Sequence, residues 1–456
     1  MEGEQEGAGV LTVREGSDSS GLHRALRRFV DVRPEEVKAM LLAFAYFFFV
    51  LSGWFVLRPM RDAVGAASGT PNLRWLFAGT LTAMLICNPL FASLVARFPV
   101  RRFIAITYRF FIANLLIFYV LMRVAAPTEG SRGDVWIGRA FFIWTSVFDL
   151  FVVSVFWGFM ADFFRSEQAK RLFGFIAVGG TLGSVTGSAA TAVLARHIGS
   201  VNLLLVSAVL LELAVTVMTR FPSKERGGAT VAESARLDAA PIGGSVWAGL
   251  THVARSPYLS GIALFQVFVT LGATILYFEQ SELVGRFYTD TAGRTTVLAQ
   301  LELAVQLLTL LTQLFFTGRI IRWIGLTGAL ALLPLISMVG FASLGTVPVF
   351  ATVAAFAVVR RAGNFALNNP AMEILFTVVP REDKYKAKSF IETFVYRVGD
   401  QIAAQTYAGM AVGLGFTSIA FAAVPMSAAW LGLGVWLGRR QAALAGPPAG
   451  GAHSPT

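Results

Sequence analysis

The chain of 456 residues is 55% hydrophobic and only 14% charged, with a mean hydropathy of +0.64. Soluble proteins carry about 25% charged residues, so this composition excludes an ordinary soluble domain. The net charge of +11 would suggest a nucleic-acid partner in a soluble protein. Here, however, apolar runs of about 18 residues or more recur along the chain, which is typical of transmembrane helices. We therefore predict an all-α polytopic membrane protein that lies in a lipid bilayer and has no nucleic-acid partner.

Residue types that carry metal, redox or catalytic chemistry are sparse. The single cysteine, Cys87, lies in an apolar run, so an intramolecular disulfide is excluded. The four histidines lack the spacing of metal ligands, and no His, Ser or carboxylate cluster has catalytic spacing. The sequence therefore predicts no metal, no cofactor and no enzymatic activity. It also shows no signal peptide at the N-terminus.

Residues 1–36 are predicted to form a cytoplasmic tail. Residues 1–19 are small, polar and acidic, a composition typical of disorder. Further on, Leu22, Leu26 and Phe29 share one apolar face of a helix whose other faces are basic. This pattern predicts an amphipathic helix at the membrane surface.

Twelve membrane spans follow the tail. We place them near residues 37–57, 74–96, 103–122, 136–160, 173–195, 200–219, 257–279, 297–318, 326–346, 348–372, 389–412 and 416–437. The longest polar interruption, residues 221–256, is predicted to be a cytoplasmic linker between two six-helix bundles, 37–220 and 257–437. Residues 438–456 are predicted to be a disordered cytoplasmic tail.

The basic residues orient these spans. Of the 38 Lys and Arg residues, 25 fall on the side that holds both termini, nine on the opposite side and four inside spans. Because cytoplasmic loops carry the excess of Lys and Arg, both termini are predicted to be cytoplasmic. The expected location is the inner membrane of a bacterium.

The fifth span carries three glycines, Gly179, Gly183 and Gly187, that are four residues apart. This spacing places them on one helix face, where a second backbone can approach closely. The run GGTLGS is not a phosphate-binding loop, because no Lys follows it and no strand precedes it. We therefore predict that this face packs against another helix.

The turn between the fourth and fifth spans carries the first family motif. The aromatic run 156–159 (FWGF) is followed by the charged run 167–171 (EQAKR) and by residues 173–174 (FG). This order resembles a signature of the ATP/ADP translocases, the nucleotide carriers of plastids and of intracellular bacteria, with relatives in free-living bacteria.

Two further segments, in the first and seventh spans, strengthen the resemblance. Residues 57–62 (LRPMRD) are similar to the carriers' Leu-Arg-Asp-x-Lys-Asp segment. The resemblance places Arg61 and Asp62 at its Lys-Asp, and Arg74 at a second basic position of the family. Residues 276–283 (LYFEQSEL) resemble the carriers' Leu-Val-Glu-x-x-x-Lys segment, with Glu279 as its acid.

The tenth span and the segment after it complete the resemblance. Arg361 and Glu373 match a Lys and a Glu of the carriers' tenth span. Residues 384–392 (KYKAKSFIE) are similar to the carriers' Lys-x-Lys-x-Lys-x-x-Ile-Asp segment, and Lys388 lies at the mouth of the eleventh span.

The resemblance implies the fold of the major facilitator superfamily, with one central site between two six-helix bundles. It also implies exchange of ATP for ADP by alternating access. Degenerate forms of a loop motif of that superfamily follow the second span (93–97, SLVAR) and the eighth span (318–322, GRIIR).

Charges inside spans point to the same central site, because a charge at mid-bilayer costs at least a few kcal/mol without a partner or an aqueous cavity. On the tenth span, Asn364 and Asn368 lie at i+3 and i+7 from Arg361, on its own face. Arg360 points about 100° away from that face. We therefore expect Arg361 to line the cavity and Arg360→Ala to have a mild effect.

The third, fourth and eleventh spans also carry charged residues, for which the sequence suggests pairing or a functional role. Arg109 and Asp149 either form a buried ion pair that fixes the helix register, or Asp149 corresponds to a functional acid that the family carries in its fourth span. Arg397 and Asp400 are three residues apart on the eleventh span and are predicted to form a pair.

These observations predict a basic central site for a nucleotide or another phosphorylated anion. The predicted substrate-binding residues are Arg61, Arg361, Asn364, Asn368, Lys388 and Glu279. The predicted coupling or gating residues are Asp62, Arg74, Asp149 and Glu373.

Two other functions stay open. Pro59 and the absence of lysines after Glu279 depart from the carriers' pattern. They are compatible with a proton-coupled carrier of another phosphorylated or organic anion. A membrane scaffold without transport is the third possibility, against which the charges of the tenth span argue.

Overall fold

A computed structural model describes residues 32–95, 100–124, 131–164, 166–222, 253–379, 387–388 and 390–445. The predicted amphipathic helix of the N-terminal tail, most of the linker and the end of the C-terminal tail lie outside these ranges.

The described residues form six long helices in each half of the chain. The first half contains α1 (Val37–Ser68), α2 (Thr70–Val95), α3 (Val100–Val124), α4 (Arg132–Phe163), α5 (Ser166–Ile198) and α6 (Leu203–Thr219). The second half contains α7 (Pro257–Phe287), α8 (Thr291–Phe315), α9 (Thr317–Thr346), α10 (Phe350–Gly363 and Asn369–Leu375, joined by the π-helical turn Asn364–Asn368), α11 (Tyr396–Gly413, preceded by the π-helical turn Ile391–Val395) and α12 (Phe416–Ala445). Among the described residues, ten helices are long and apolar enough to cross a membrane. The predicted all-α polytopic fold is confirmed.

Several helices extend past the predicted spans. α1 continues through Pro59 to Ser68, so the charged segment 58–62 lies inside the helix and not at its end. α5 begins at Ser166, so the charged run 167–171 is helical rather than a loop. α12 continues to Ala445, so the first residues of the predicted C-terminal tail are helical. Hydropathy detects only the apolar part of a helix, whereas polar residues with good helix propensity extend it into the interface.

Two helices are interrupted in the second half. α9 breaks at Gly325, whose φ of 68° lies in the left-handed region that glycine adopts without steric cost. The apolar part of α9 therefore starts at residue 326, directly after Gly325, where the ninth span is predicted to begin. α10 is interrupted by its π-helical turn, which directly precedes Asn369 and Pro370.

The glycine face of α5 packs against α1, which confirms the prediction. A Cβ atom on Gly179, Gly183 or Gly187 would lie within 3.0 Å of a carbonyl oxygen of α1. Polar groups also join the two helices, since the Ser52 hydroxyl donates to the Gly183 carbonyl over 3.1 Å. The close backbone approach makes α1 and α5 one packing unit.

The two halves contact each other along α5 and α8, α2 and α11, and α1 with both α7 and α8. An apolar cluster at the Ser68 end of α1 joins the halves through Ala63, Ala66, Val284, Val297 and Leu298. The cluster thus lies at the end of α1 that is far from its first residue, Val37. The halves are therefore closed at that end.

Candidate functional site

A cavity of about 1130 Å³ lies between the two halves. This volume is slightly above the range of ~300–1,000 Å³ that is common for ligand pockets. Its walls are formed by α1, α2 and α4 from the first half and by α7, α10 and α11 from the second. The charged residues that line it are Arg58, Arg61, Asp62, Asp149, Arg360, Arg361, Glu392, Arg397 and Asp400.

Arg61 and Asp62 lie on the cavity wall, where the sequence places them. The Arg61 guanidinium donates to the Ser146 hydroxyl over 2.9 Å and lies 3.0 Å from the Asp62 carboxylate. It also stacks over the Phe142 ring, 4.0 Å from the ring centroid. The Tyr277 hydroxyl donates to Asp62 over 3.0 Å and thereby links the second half to the first. Both charges are therefore held in fixed positions beside the cavity.

Glu302 on α8 is a charged residue beside the cavity that the sequence analysis did not single out. The residue is only 2% exposed, and its carboxylate accepts from Arg361 over 2.6 Å and lies 3.3 Å from Arg58. Gln306 donates to the same carboxylate over 2.8 Å and lies 3.1 Å from the Ser184 hydroxyl. One buried anion thus contacts an arginine from each half. The sequence did contain a signal for it: Glu302 is the single carboxylate in the apolar eighth span, where an unpaired charge is costly.

The two adjacent arginines of α10 have different surroundings. The Arg361 side chain is 23% exposed, lines the cavity and pairs with Glu302. Arg360 is only 2% exposed, although it contributes to the cavity wall. Its guanidinium donates to the Ser337 hydroxyl over 3.0 Å and to the Val269 carbonyl over 2.9 Å. Arg360 therefore connects α10 to α7 and α9. That Arg360→Ala has a mild effect on ligand binding, compared with Arg361→Ala, stays a prediction.

The break in α10 shapes the wall near Arg361. Pro370 has no N–H to donate to the Ala366 carbonyl, and the Thr317 hydroxyl takes its place over 2.8 Å. Asn364 lines the cavity, whereas Asn368 is buried and donates to Asn364 over 3.1 Å. Asn368 therefore does not line the cavity as predicted, since the π-helical turn Asn364–Asn368 changes the i+7 alignment of an ideal α-helix.

Glu279 lies away from the cavity. Tyr277 and Gln280 line the cavity, and on an ideal helix Glu279 points about 200° from Tyr277. Glu279 is fully buried, and neither of its carboxylate oxygens has a hydrogen-bond partner among the described residues. The structure therefore does not bring Glu279 to the predicted substrate-binding group.

Three other predicted residues also lie outside the cavity wall. Lys388 lies 2.7 Å from the Glu373 carboxylate and 3.6 Å from Glu392, which does line the cavity. Burial opposes the charge of Lys388, but these two acids outweigh it and raise the pKa of the ammonium group. Arg74 stacks over the Trp75 ring, 5.2 Å from its centroid.

Asp149 lines the cavity, but it does not pair with Arg109. Arg109 instead lies 3.1 Å from Glu212, in a pair that is largely exposed. The predicted ion pair between α3 and α4 is therefore wrong, because Arg109 points outward to α6. Arg58, Arg397 and Arg61, which also line the cavity, are within electrostatic range of Asp149.

The predicted pair on α11 is confirmed. Arg397 and Asp400 are 3.8 Å apart, and the Thr274 hydroxyl of α7 donates to Asp400 over 3.2 Å. Both charged residues line the cavity, so the second half contributes a carboxylate–arginine pair on the wall opposite Arg61 and Asp62.

No known protein family matches the sequence, and no curated protein matches it. Solved structures of transporters do match the fold. The structure of a D-xylose–proton symporter matches with a TM-score of 0.59 and 13% identity over 89% of this chain and 96% of the other. The inward-open xylose transporter XylE from E. coli matches with a TM-score of 0.59 and 12% identity over 91% of this chain and 97% of the other.

A peptide transporter of the POT family is also similar, with a TM-score of 0.54 and 16% identity over 91% of this chain and 98% of the other. At these identities the similarity shows the fold and not the substrate. The chain therefore shares its overall fold with these solved structures, with six helices in each half around a central cavity.

Proposed function

We propose that the chain is a secondary transporter that exchanges nucleotides of the ATP/ADP type across the bacterial inner membrane by alternating access. The observation that carries this proposal is that arginines from both halves line one central cavity, Arg58 and Arg61 from α1 and Arg361 and Arg397 from α10 and α11. In transporters built from two repeats, the substrate binds between them, near the middle of the membrane.

The chemistry of the cavity supports a phosphorylated anion. A guanidinium presents paired N–H donors that match phosphate oxygens. The Trp54 and Tyr277 rings also line the cavity and offer faces for a purine base. The acids that pair with the arginines, such as Asp62, keep them neutralised between substrates. The volume of about 1130 Å³ accommodates a nucleotide.

A second candidate is a proton-coupled carrier of another phosphorylated or organic anion. The observation that favours it is Glu279, whose buried carboxyl group has no hydrogen-bond partner among the described residues. Burying an ionised carboxylate without a partner costs more than burying the neutral acid, so this group suits a site that holds a proton.

Uptake into proteoliposomes tests both candidates. We expect labelled ATP to enter liposomes that contain ADP several times faster than empty liposomes, with no dependence on a proton gradient. An Arg109→Ala variant is the matched control, because Arg109 forms an exposed pair far from the cavity. Uptake of labelled phosphate that requires an imposed proton gradient would support the second candidate. Absence of uptake for all anions would contradict both and favour a scaffold.

A further inference from the structure

We infer that Glu302 is an internal counter-anion that restricts the carrier to exchange. In this inference, Glu302 holds the arginines of both halves until a phosphorylated substrate replaces it. The inference rests on the proposed function and specifies how the same site couples substrate binding to the movement of the halves.

The first step is the position of the carboxylate. Glu302 belongs to the second half, as does Arg361, but Arg58 belongs to the first half. The Arg58–Glu302 pair therefore crosses the interface between the halves, and Glu302 itself is buried. Removing one partner of a buried ion pair is strongly unfavourable because the other charge is left uncompensated.

The second step is the link from Glu302 to the helix interface. Gln306 lies one turn further along α8 and donates to the Glu302 carboxylate. Its other end lies within hydrogen-bond distance of Ser184 on α5, in the first half. Two residues one turn apart on α8 therefore make polar contacts across the interface. Because α5 and α8 pack along each other, a rocking motion of the halves has to alter both contacts.

The third step is competition for the same donors. Arg58 and Arg361 both line the cavity, so a phosphate group in the cavity reaches the guanidinium groups that Glu302 contacts from behind the wall. A polyphosphate carries enough negative charge to compensate both arginines after they leave Glu302. Without such a ligand, separating the halves leaves Arg58 unpaired. The loaded carrier can therefore change conformation, whereas the empty carrier is held, and this is the behaviour of an obligatory exchanger.

The experiment compares Glu302→Gln with the wild type in liposomes preloaded with labelled ATP. In the wild type we expect efflux to be at least about tenfold faster with external ADP than without nucleotide, which corresponds to about 1.4 kcal/mol. In Glu302→Gln the ratio should fall toward one, because net efflux becomes possible. Glu212→Gln is the matched control, since it removes an acid from an exposed pair, and it should keep the wild-type ratio.

A folded Glu302→Gln protein that transports with the wild-type ratio would overturn the inference. If it loses thermal stability and all transport in proportion, its role is structural and the inference is also wrong. Wild-type protein that moves no nucleotide in either direction contradicts the proposed function itself, so the two failures are distinguishable.

A second measurement keeps Glu302 in place, so it does not depend on the stability of Glu302→Gln. Ser200 and Thr295 are in contact between the halves, with their hydroxyl oxygens 3.2 Å apart. Cysteines at these two positions on a Cys87→Ala background should cross-link readily without nucleotide and several times more slowly with ATP. Slow cross-linking without nucleotide would show that the empty carrier is not held, and would refute the inference.

Discussion

At the scale of single residues, the neighbouring arginines Arg360 and Arg361 have different surroundings although they are consecutive on one helix. A step of about 100° turns Arg360 into the packed interior of the second half and Arg361 toward the cavity and Glu302. From the asparagines on its face, the sequence analysis predicted that Arg361 lines the cavity; both arginines contribute to the wall, and Arg361 is the more exposed of the two. The sequence could not identify the partners of Arg360, because Ser337 and Val269 lie on other helices.

Arg361→Ala should weaken the binding of a phosphorylated ligand by more than tenfold. A buried charged hydrogen bond that is lost to truncation costs about 2–5 kcal/mol, and most of that cost comes from the unpaired partner. Arg361→Lys should retain part of the affinity because it keeps a positive charge without the paired donors. Thermal stabilisation by ATP, titrated in purified protein, measures both effects. Equal affinity in wild type and folded Arg361→Ala would remove Arg361 from the site.

Arg360→Ala should lower the stability of the protein rather than its selectivity. The substitution removes the hydrogen bonds of a buried guanidinium to the Ser337 hydroxyl and the Val269 carbonyl, and a hydrogen bond to a charged group contributes about 1.5–3 kcal/mol. The melting temperature in detergent should therefore fall markedly. Arg109→Ala, which removes an exposed arginine, should shift it little. A normal melting temperature together with reduced ligand binding would instead place Arg360 in the site.

At the scale of helices, the glycine face of α5 explains why α1 keeps its position beside the cavity. α1 carries Arg58 and Arg61, and its backbone lies directly on Gly179, Gly183 and Gly187. Spacing alone was sufficient to predict this contact, because small residues every four positions allow close helix approach. The partner helix could not be predicted, since nothing in the sequence of α5 specifies which backbone approaches.

Gly183→Leu should reduce the yield of folded protein without changing ligand preference. A Cβ at Gly183 would already collide with the backbone of Phe48, so α1 has to move to admit a leucine. Gly174→Leu on the same helix is the matched control, because a Cβ there meets no atom within 4 Å. Fluorescence-detected size-exclusion chromatography compares the two variants. Normal yield with altered selectivity in Gly183→Leu would show that this face lines the cavity.

Hydropathy predicted the positions of the helices, but the sequence did not predict where they end or which ion pairs join different helices. α1 runs on past the charged segment at 58–62 because one proline removes only one hydrogen bond and the packed helix tolerates that loss. The charges then lie at the cavity instead of at a membrane surface. Glu302 escaped notice because its partners, Arg58 and Arg361, are on distant helices. Local spacing detects pairs such as Arg397–Asp400, whereas partners that meet only after folding require the structure.

At the scale of the whole molecule, the two halves make an apolar contact at one end of the helices, and the cavity lies on the other side of that contact. The halves meet at the Ser68 end of α1, where Ala66 and Val284 belong to one apolar cluster. The cavity extends from there toward the Val37 end of α1, with Phe47 and Glu392 among its lining residues. If that side is cytoplasmic, as the basic residues predict, the structure corresponds to an inward-facing carrier. The orientation of the chain in the membrane therefore determines whether this cavity faces the cytoplasm or the outside.

Cysteine labelling determines this orientation. On a Cys87→Ala background, Thr230→Cys in the linker should be protected from a membrane-impermeant maleimide in intact cells and should react in inverted vesicles. The reason is the excess of Lys and Arg on the side of the linker, since positively charged loops remain in the cytoplasm. Pro348→Cys, in the exposed turn between α9 and α10, is the matched control and should react in intact cells. The reverse pattern, with position 230 labelled from outside, would invert the topology and make the same cavity face outward.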